Sequence, residues 1–170
     1  MSISVTSAAE EITSRDLYLS GGVGFHGTGL AFLLDDVTYS TQINKGILTS
    51  FKLGGYLTPN FAAYFQRQSV WWTDVNSIVV SDINGIGGTV YFNQNLMYFE
   101  LGLGVGGLDV VDSGLTRKQT GSAFLIGYGI EATDNIQVGI VTLATSISDS
   151  ENLNFEYETF TTAIKIEFKL

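Results

Sequence analysis

The chain has 170 residues, of which 17 are acidic and 8 basic, giving a net charge of −9; 45% are hydrophobic, only 15% are charged, and there is no cysteine. This length predicts one domain, the missing cysteine excludes disulfides, thiolate metal sites and thiol catalysis, and scattered basic residues in an acidic chain argue against a nucleic-acid partner. Charge is scarce beside the roughly 25% of a soluble domain, yet no run approaches the ~18 consecutive apolar residues of a membrane helix.

Residues 1–15 lack the basic start and apolar segment of a signal peptide. They read as a flexible extension before a single domain at 16–170. Eight strands follow, at roughly 17–32, 46–57, 61–73, 85–92, 96–108, 120–132, 136–147 and 154–170. Three tight turns separate members of this series: Thr58-Pro59-Asn60, Asn93-Gln94-Asn95 and Thr133-Asp134-Asn135. Asn and Asp tolerate left-handed dihedrals and bond their own backbone, and Pro presets φ. The turn centres Pro59, Gln94 and Asp134 lie 35 and 40 residues apart, so the chain reads as a meander of hairpins. Longer polar connections are expected at about 33–45, 74–84, 109–119 and 148–153.

Alternation is clearest in the fifth, sixth and eighth strands. Met97, Phe99, Leu101, Leu103 and Val105 share one face, and Tyr98, Glu100, Gly102 and Gly104 the other. Likewise Phe160, Thr162, Ile164, Ile166 and Phe168 oppose Thr161, Ala163, Lys165, Glu167 and Lys169. A soluble sandwich or carrier barrel puts its large apolar residues inside. Here the small-and-charged face fits the inside of a narrow cylinder, and the apolar face fits lipid. The pattern predicts an all-β fold: a closed antiparallel eight-stranded transmembrane barrel, up-and-down, with both termini at the short-turn end. Trp71 and Trp72 near the loops, and Tyr98, Phe99 and Phe168 near the turns, are expected to form interfacial girdles.

The phrases GGYLTPNFAAYF and GYGIEATDNIQVGI, and the last strand AIKIEFKL, resemble units of small bacterial outer-membrane β-barrels of the OmpX, OmpW and OmpA-barrel type. That resemblance spans about 16–170. It implies a Gram-negative outer-membrane protein with periplasmic termini and long acidic extracellular loops. Its partners would be the lipid bilayer, lipopolysaccharide and the assembly machinery that reads the closing strand. These families usually end in an aromatic residue, whereas this chain ends in Leu170 with Phe168 two positions earlier.

Six charged residues are candidates for a lumen network: Lys52, Arg67, Glu100, Glu131, Lys165 and Glu167. Paired, they plug the bore; open, they line an ion path. Arg67 shares a phase with Phe61, Phe65 and Trp71, and a β-bulge would turn it inward. Glu100 and Glu131 sit at similar distances from their turns, so either a cation is expected beside them or one carboxyl is expected to be protonated. His26, the single histidine, is expected to pack in the lumen, because no Ser-His motif surrounds it. GGVGFHGTG lacks the Lys and helix of a phosphate loop. Weak divalent-cation binding is conceivable at Asp35, Asp36, Asp109, Asp112, Asp149 and Glu151, without any fixed ligand spacing. No motif requires a cofactor. The expected role is non-enzymatic, structural or surface-interacting, with a largely plugged lumen. Alternatives are an OmpW-like channel for small or apolar molecules, marked by an apolar upper lumen at Leu125, Val141 and Leu143, and a soluble ligand-binding barrel.

Overall fold

The computed structural model describes residues 17–34, 37–40, 43–74, 77–92, 96–112, 115–148 and 155–170. Every regular element among them is a strand: β1 Leu17–Leu34, β2 Val37–Ser40, β3 Asn44–Thr58, β4 Phe61–Asp74, β5 Ser77–Phe92, β6 Met97–Asp112, β7 Leu115–Thr133, β8 Ile136–Ser148 and β9 Phe155–Lys169. All neighbours pair antiparallel, and β9 returns to pair with β1 from Ser20↔Lys169 to Leu34↔Phe155, which closes the cylinder. The short β2 pairs with Ala31–Leu34 on the edge of β1 that β3 uses lower down. It therefore shares a stave with β3, and the barrel has eight staves. Closure leaves no sheet edge around the wall, as a bilayer requires of backbone groups.

Register fixes the shape. Gly21 pairs with Phe51, and the row continues through Arg67, Asn84, Val105, Ser122, Ser146 and Glu158. It meets β1 again at Ala31, ten residues further along the strand. With a rise near 3.3 Å and a strand spacing near 4.8 Å, that stagger tilts the strands by about 40° and gives a backbone radius of about 8 Å. Side chains fill such a bore.

Two of the tight turns share one chemistry. The Asn60 N–H donates to Thr58 Oγ1 and the Asn135 N–H donates to Thr133 Oγ1, each at 3.3 Å. A register shift sits just before each turn, at Tyr56/Thr58 and at Glu131/Thr133. Both the start of β1 and the end of β9 lie at this end, called here the terminal end.

At the far end the strands run on beyond their expected limits. β5 begins at Ser77 rather than 85, β6 reaches Asp112 and β7 begins at Leu115. The connections expected at 74–84 and 109–119 are thus mostly paired strand, ending at Asp74↔Ser77 and Asp112↔Leu115. The cause is a change of sign in the alternation. Along the terminal half of β6, Met97, Leu101, Leu103 and Val105 are exposed on the outer face; further on, Leu108 is buried inside. On β8, Val138 and Ile140 face out, while Val141, Leu143 and Ile147 are buried within. No slip in pairing accompanies the switch. The terminal half is apolar outside, and the far half is apolar inside.

Candidate functional site

The lumen is built in three layers. Nearest the terminal end, Tyr18, Tyr64, Tyr91 and Tyr98 are buried together with Tyr56 packed against them. Tyr18 and Tyr64 stack at 5.1 Å, and Tyr91 and Tyr98 lie 6.5 Å apart. Gln137 Nε2 donates to the Tyr91 hydroxyl and to Glu131 Oε1, both at 3.0 Å, and Lys169 pairs with the same Glu131 oxygen.

Above them lies a four-charge square. Lys52 Nζ is 2.5 Å from Glu100 Oε2 and 2.8 Å from Glu167 Oε2. Lys165 Nζ is 2.5 Å from Glu100 Oε1 and 3.1 Å from Glu167 Oε2. All four side chains have 0% exposure, so the signs alternate around a dry ring. Lys52 stands on β3, Glu100 on β6, and Lys165 and Glu167 on β9, so the contacts cross the bore. Ser50 Oγ donates to Glu167 Oε1 at 2.8 Å, and Lys52 sits over the Tyr64 ring at 5.1 Å. Glycines on the inner wall make the room: a β-carbon at Gly127 would strike the Glu100 carboxylate, and one at Gly22 would strike Glu167. Burying each charge costs several kcal/mol, and close opposite partners are what offset it.

The third layer is apolar. Leu48, Val70, Trp72, Ile83, Leu125 and Leu143 belong to one buried cluster in the far half. On its β1 side a polar file completes the fill. His26 Nε2 lies 3.1 Å from the Trp71 carbonyl, and Thr28 Oγ1 bonds His26 Nδ1 at 2.9 Å and Thr161 Oγ1 at 2.7 Å. These contacts make His26 a packed lumen residue, edge-on to Trp72 at 6.1 Å.

Of the six residues expected in one network, the structure gathers Lys52, Glu100, Lys165 and Glu167. Glu131 stands apart, held by Lys169 and Gln137. Arg67 is a correction: its side chain is 63% exposed on the outer wall, 3.4 Å from Asp82. β4 has no bulge there, and its pairing is continuous from Phe61 to Trp72 on one edge and to Asp74 on the other. Gln66 and Gln68 take the lumen positions instead. Two girdle residues are also corrected. Trp72 and Tyr98 are buried in the lumen, because alternation gives the outer positions to Trp71, Met97 and Phe99. Trp71 and Phe168 are exposed on the outer face. Asp35, Asp36, Asp149, Glu151 and the Asp112 side chain lie outside the described residues, as does the 1–15 extension. Among the described residues no three metal-ligating side chains gather, Asp109 included. The sequence reading missed the tyrosine layer, although Tyr18, Tyr64, Tyr91 and Tyr98 all sit in inward phase within a few residues of the terminal end. Asp82, expected in the 74–84 connection, is instead paired strand beside Arg67.

No protein-family model matches the chain, and no curated protein matches it. Solved structures do. The attachment invasion locus protein Ail of Yersinia pestis superposes with a TM-score of 0.60 at 12% identity, covering 92% of this chain and 99% of that one. Neisserial surface protein A gives 0.56 at 12% identity, over 91% and 97%. The outer-membrane protein OprG of Pseudomonas aeruginosa gives 0.51 at 11% identity, over 92% and 96%. The fold is therefore that of the small outer-membrane β-barrels, closed, eight-stranded and up-and-down. The outer wall agrees: Phe25, Phe65, Leu103, Ile126 and Ile164 project from it, exposed, which is the surface of a transmembrane barrel.

Proposed function

We propose that the chain is an integral outer-membrane barrel with a closed lumen and no enzymatic activity, which acts through its outer wall and far rim. The termini face the periplasm and the acidic rim faces outward, toward lipopolysaccharide. The closing strand AIKIEFKL is what the assembly machinery reads. One observation carries the reading: Lys52, Glu100, Lys165 and Glu167 form a ring without exposure across the whole bore. An ion path needs water beside its charges, and this ring has apolar packing on one side and stacked tyrosines on the other. Ail, in one structure, holds the heparin analogue sucrose octasulfate; a chain of net charge −9 is poorly suited to that polyanion. His26 has a hydroxyl and a carbonyl as partners, a packing role rather than a base poised beside a nucleophile.

A channel for small or apolar molecules has one observation in its favour, the apolar far lumen with Leu125, Val141 and Leu143. These side chains are fully packed, however, at 0–2% exposure. Planar-bilayer recording separates the readings. The closed barrel gives no steady porin-like current, and a large stable conductance overturns it in favour of transport.

A further inference from the structure

Among the described residues, the outer wall carries a charged pair, Arg67 and Asp82, where apolar residues would be expected. Along β4 the outward positions are Phe61, Ala63 and Phe65, then Arg67, Ser69 and Trp71. Arg67 thus stands where the apolar run ends toward the far end. Its register partners on that face are Phe51 and Asn84. The guanidinium reaches Asp82, which pairs with Ser69 rather than with Arg67 itself. The side chain therefore bends toward the far end. Trp71 bends the opposite way, because its indole N–H donates to Thr49 Oγ1 at 3.2 Å and Thr49 also pairs with Ser69. Both side chains come down on the row Thr49–Ser69–Asp82, and Ser69 beneath them is 3% exposed although its phase is outward.

Asp82 does not project. Its Oδ1 fills the hollow left at Gly107, where a β-carbon would strike it, and its Oδ2 accepts from both Asn84 Nδ2 at 2.9 Å and Arg67 at 3.4 Å. The carboxylate is recessed and used. The guanidinium has five N–H donors, spends one on a long contact, and remains 63% exposed. What protrudes is a cationic fork bent toward the far edge of the apolar belt, with Trp71 leaning to the other side of Ser69. Two such forks meeting across a two-fold axis would repel, and the recessed Asp82 is out of reach of a second copy. A phosphate fits: it accepts the fork bidentately and sits where lipid headgroups sit.

We propose that Arg67, with Asn84 and Trp71 beside it, binds the phosphate of a lipid headgroup in the leaflet at the barrel's far end. The inference rests on the membrane-embedded reading above. Trp71 is its reporter, since Trp72 is enclosed in the lumen. The protein is reconstituted in phosphatidylcholine vesicles, and tryptophan quenching is measured with chain-brominated phosphatidic acid against chain-brominated phosphatidylcholine. Wild type prefers the phosphate-monoester lipid by on the order of tenfold. Arg67→Gln loses the preference, and Arg67→Lys keeps part of it, since lysine retains charge without the fork. Retained heat-modifiable gel mobility shows that each variant is folded. Equal quenching by both lipids in wild type, or the same preference in Arg67→Gln, overturns the site. Loss of the preference when inorganic phosphate is added to the buffer overturns the lipid as its occupant. A cross-linked dimer that Arg67→Gln dissolves overturns it in favour of a second copy. Absence of quenching by any brominated lipid sinks the membrane-embedded reading along with it.

Discussion

The two halves of the barrel solve the same packing problem with opposite surfaces. In the terminal half the wall is apolar outside and the lumen holds tyrosines, amides and the four-charge ring. In the far half the lumen holds Leu48, Val70, Trp72, Ile83, Leu143 and Ile147, while exposed outer positions include Thr120 and Ser122. The far half thus has an apolar lumen behind a mixed outer face, where exposed Ile47, Ile78 and Phe160 stand among Thr120 and Ser122. The strands do not break between them, and we propose that lipid gives way to water beyond this change in the lumen. β6 and β7, at 16 and 19 residues, are much longer than the roughly 9–11 that a tilted strand needs to span a bilayer. The surplus is long enough to project beyond the membrane, and its described outer positions on β7 include Thr120 and Ser122.

Glu100→Gln is expected to have the largest effect. It leaves Lys52 and Lys165 sharing one carboxylate at the barrel's dry centre. Removing one partner of a buried pair costs about 3–5 kcal/mol. Urea unfolding in lipid vesicles, followed by gel mobility, measures it. A loss under about 1 kcal/mol would show that the ring is wet, and it would blur the contrast between the charged centre and the apolar far lumen.

Leu143→Ala comes next and probes the far half. Leu143 is 2% exposed inside the apolar layer, and truncating a buried leucine costs about 2–5 kcal/mol through lost transfer energy and the cavity left behind. If that layer is instead a lined passage, the variant loses little stability and gains conductance, a result the same bilayer recordings detect.

Leu101→Arg asks the matching question of the wall. Leu101 is 44% exposed in the apolar belt of β6. A lipid-facing arginine near the midplane costs about 2–4 kcal/mol, read as a lowered folded fraction on insertion into vesicles. Stability equal to wild type would place this position outside the lipid.

How much of this was legible follows from the same division. Where one face is apolar and the other is glycine and charge, as in Met97–Val105 or Phe160–Phe168, the alternation gives strand, face and membrane together. Lys52, Glu100, Lys165 and Glu167 were readable as inward for that reason. Beyond the change of sign the rule inverts. Ser81, Asp82 and Asn84 then look like loop residues, although they are paired strand. Arg67 has an outward phase and keeps it; the bulge expected to turn it inward is absent, because the side chain instead bends along the wall to Asp82. Trp72 and Tyr98 were misassigned by proximity to an end, when their phase was the better guide. The partner of each lumen charge depends on contacts across the bore, and no local pattern in one strand encodes those.

The smallest expected effect is the sharpest test of the comparison. Thr120 and Leu101 both face outward, on the neighbouring strands β7 and β6. Thr120 pairs with Gly107, six residues beyond Leu101 toward the far end. With a tilt of about 40°, that separation along the strand is worth on the order of 15 Å along the barrel axis. If the change of sign marks the lipid boundary, an arginine at 120 sits in water or among headgroups, and its cost falls to within about 0.5 kcal/mol, as for other exposed surface substitutions. Thr120→Arg should therefore insert and resist urea like wild type, while Leu101→Arg does not. Equal damage from both would mean that the bilayer extends past the switch, and the apolar lumen of the far half would then need a reason other than a water-facing wall.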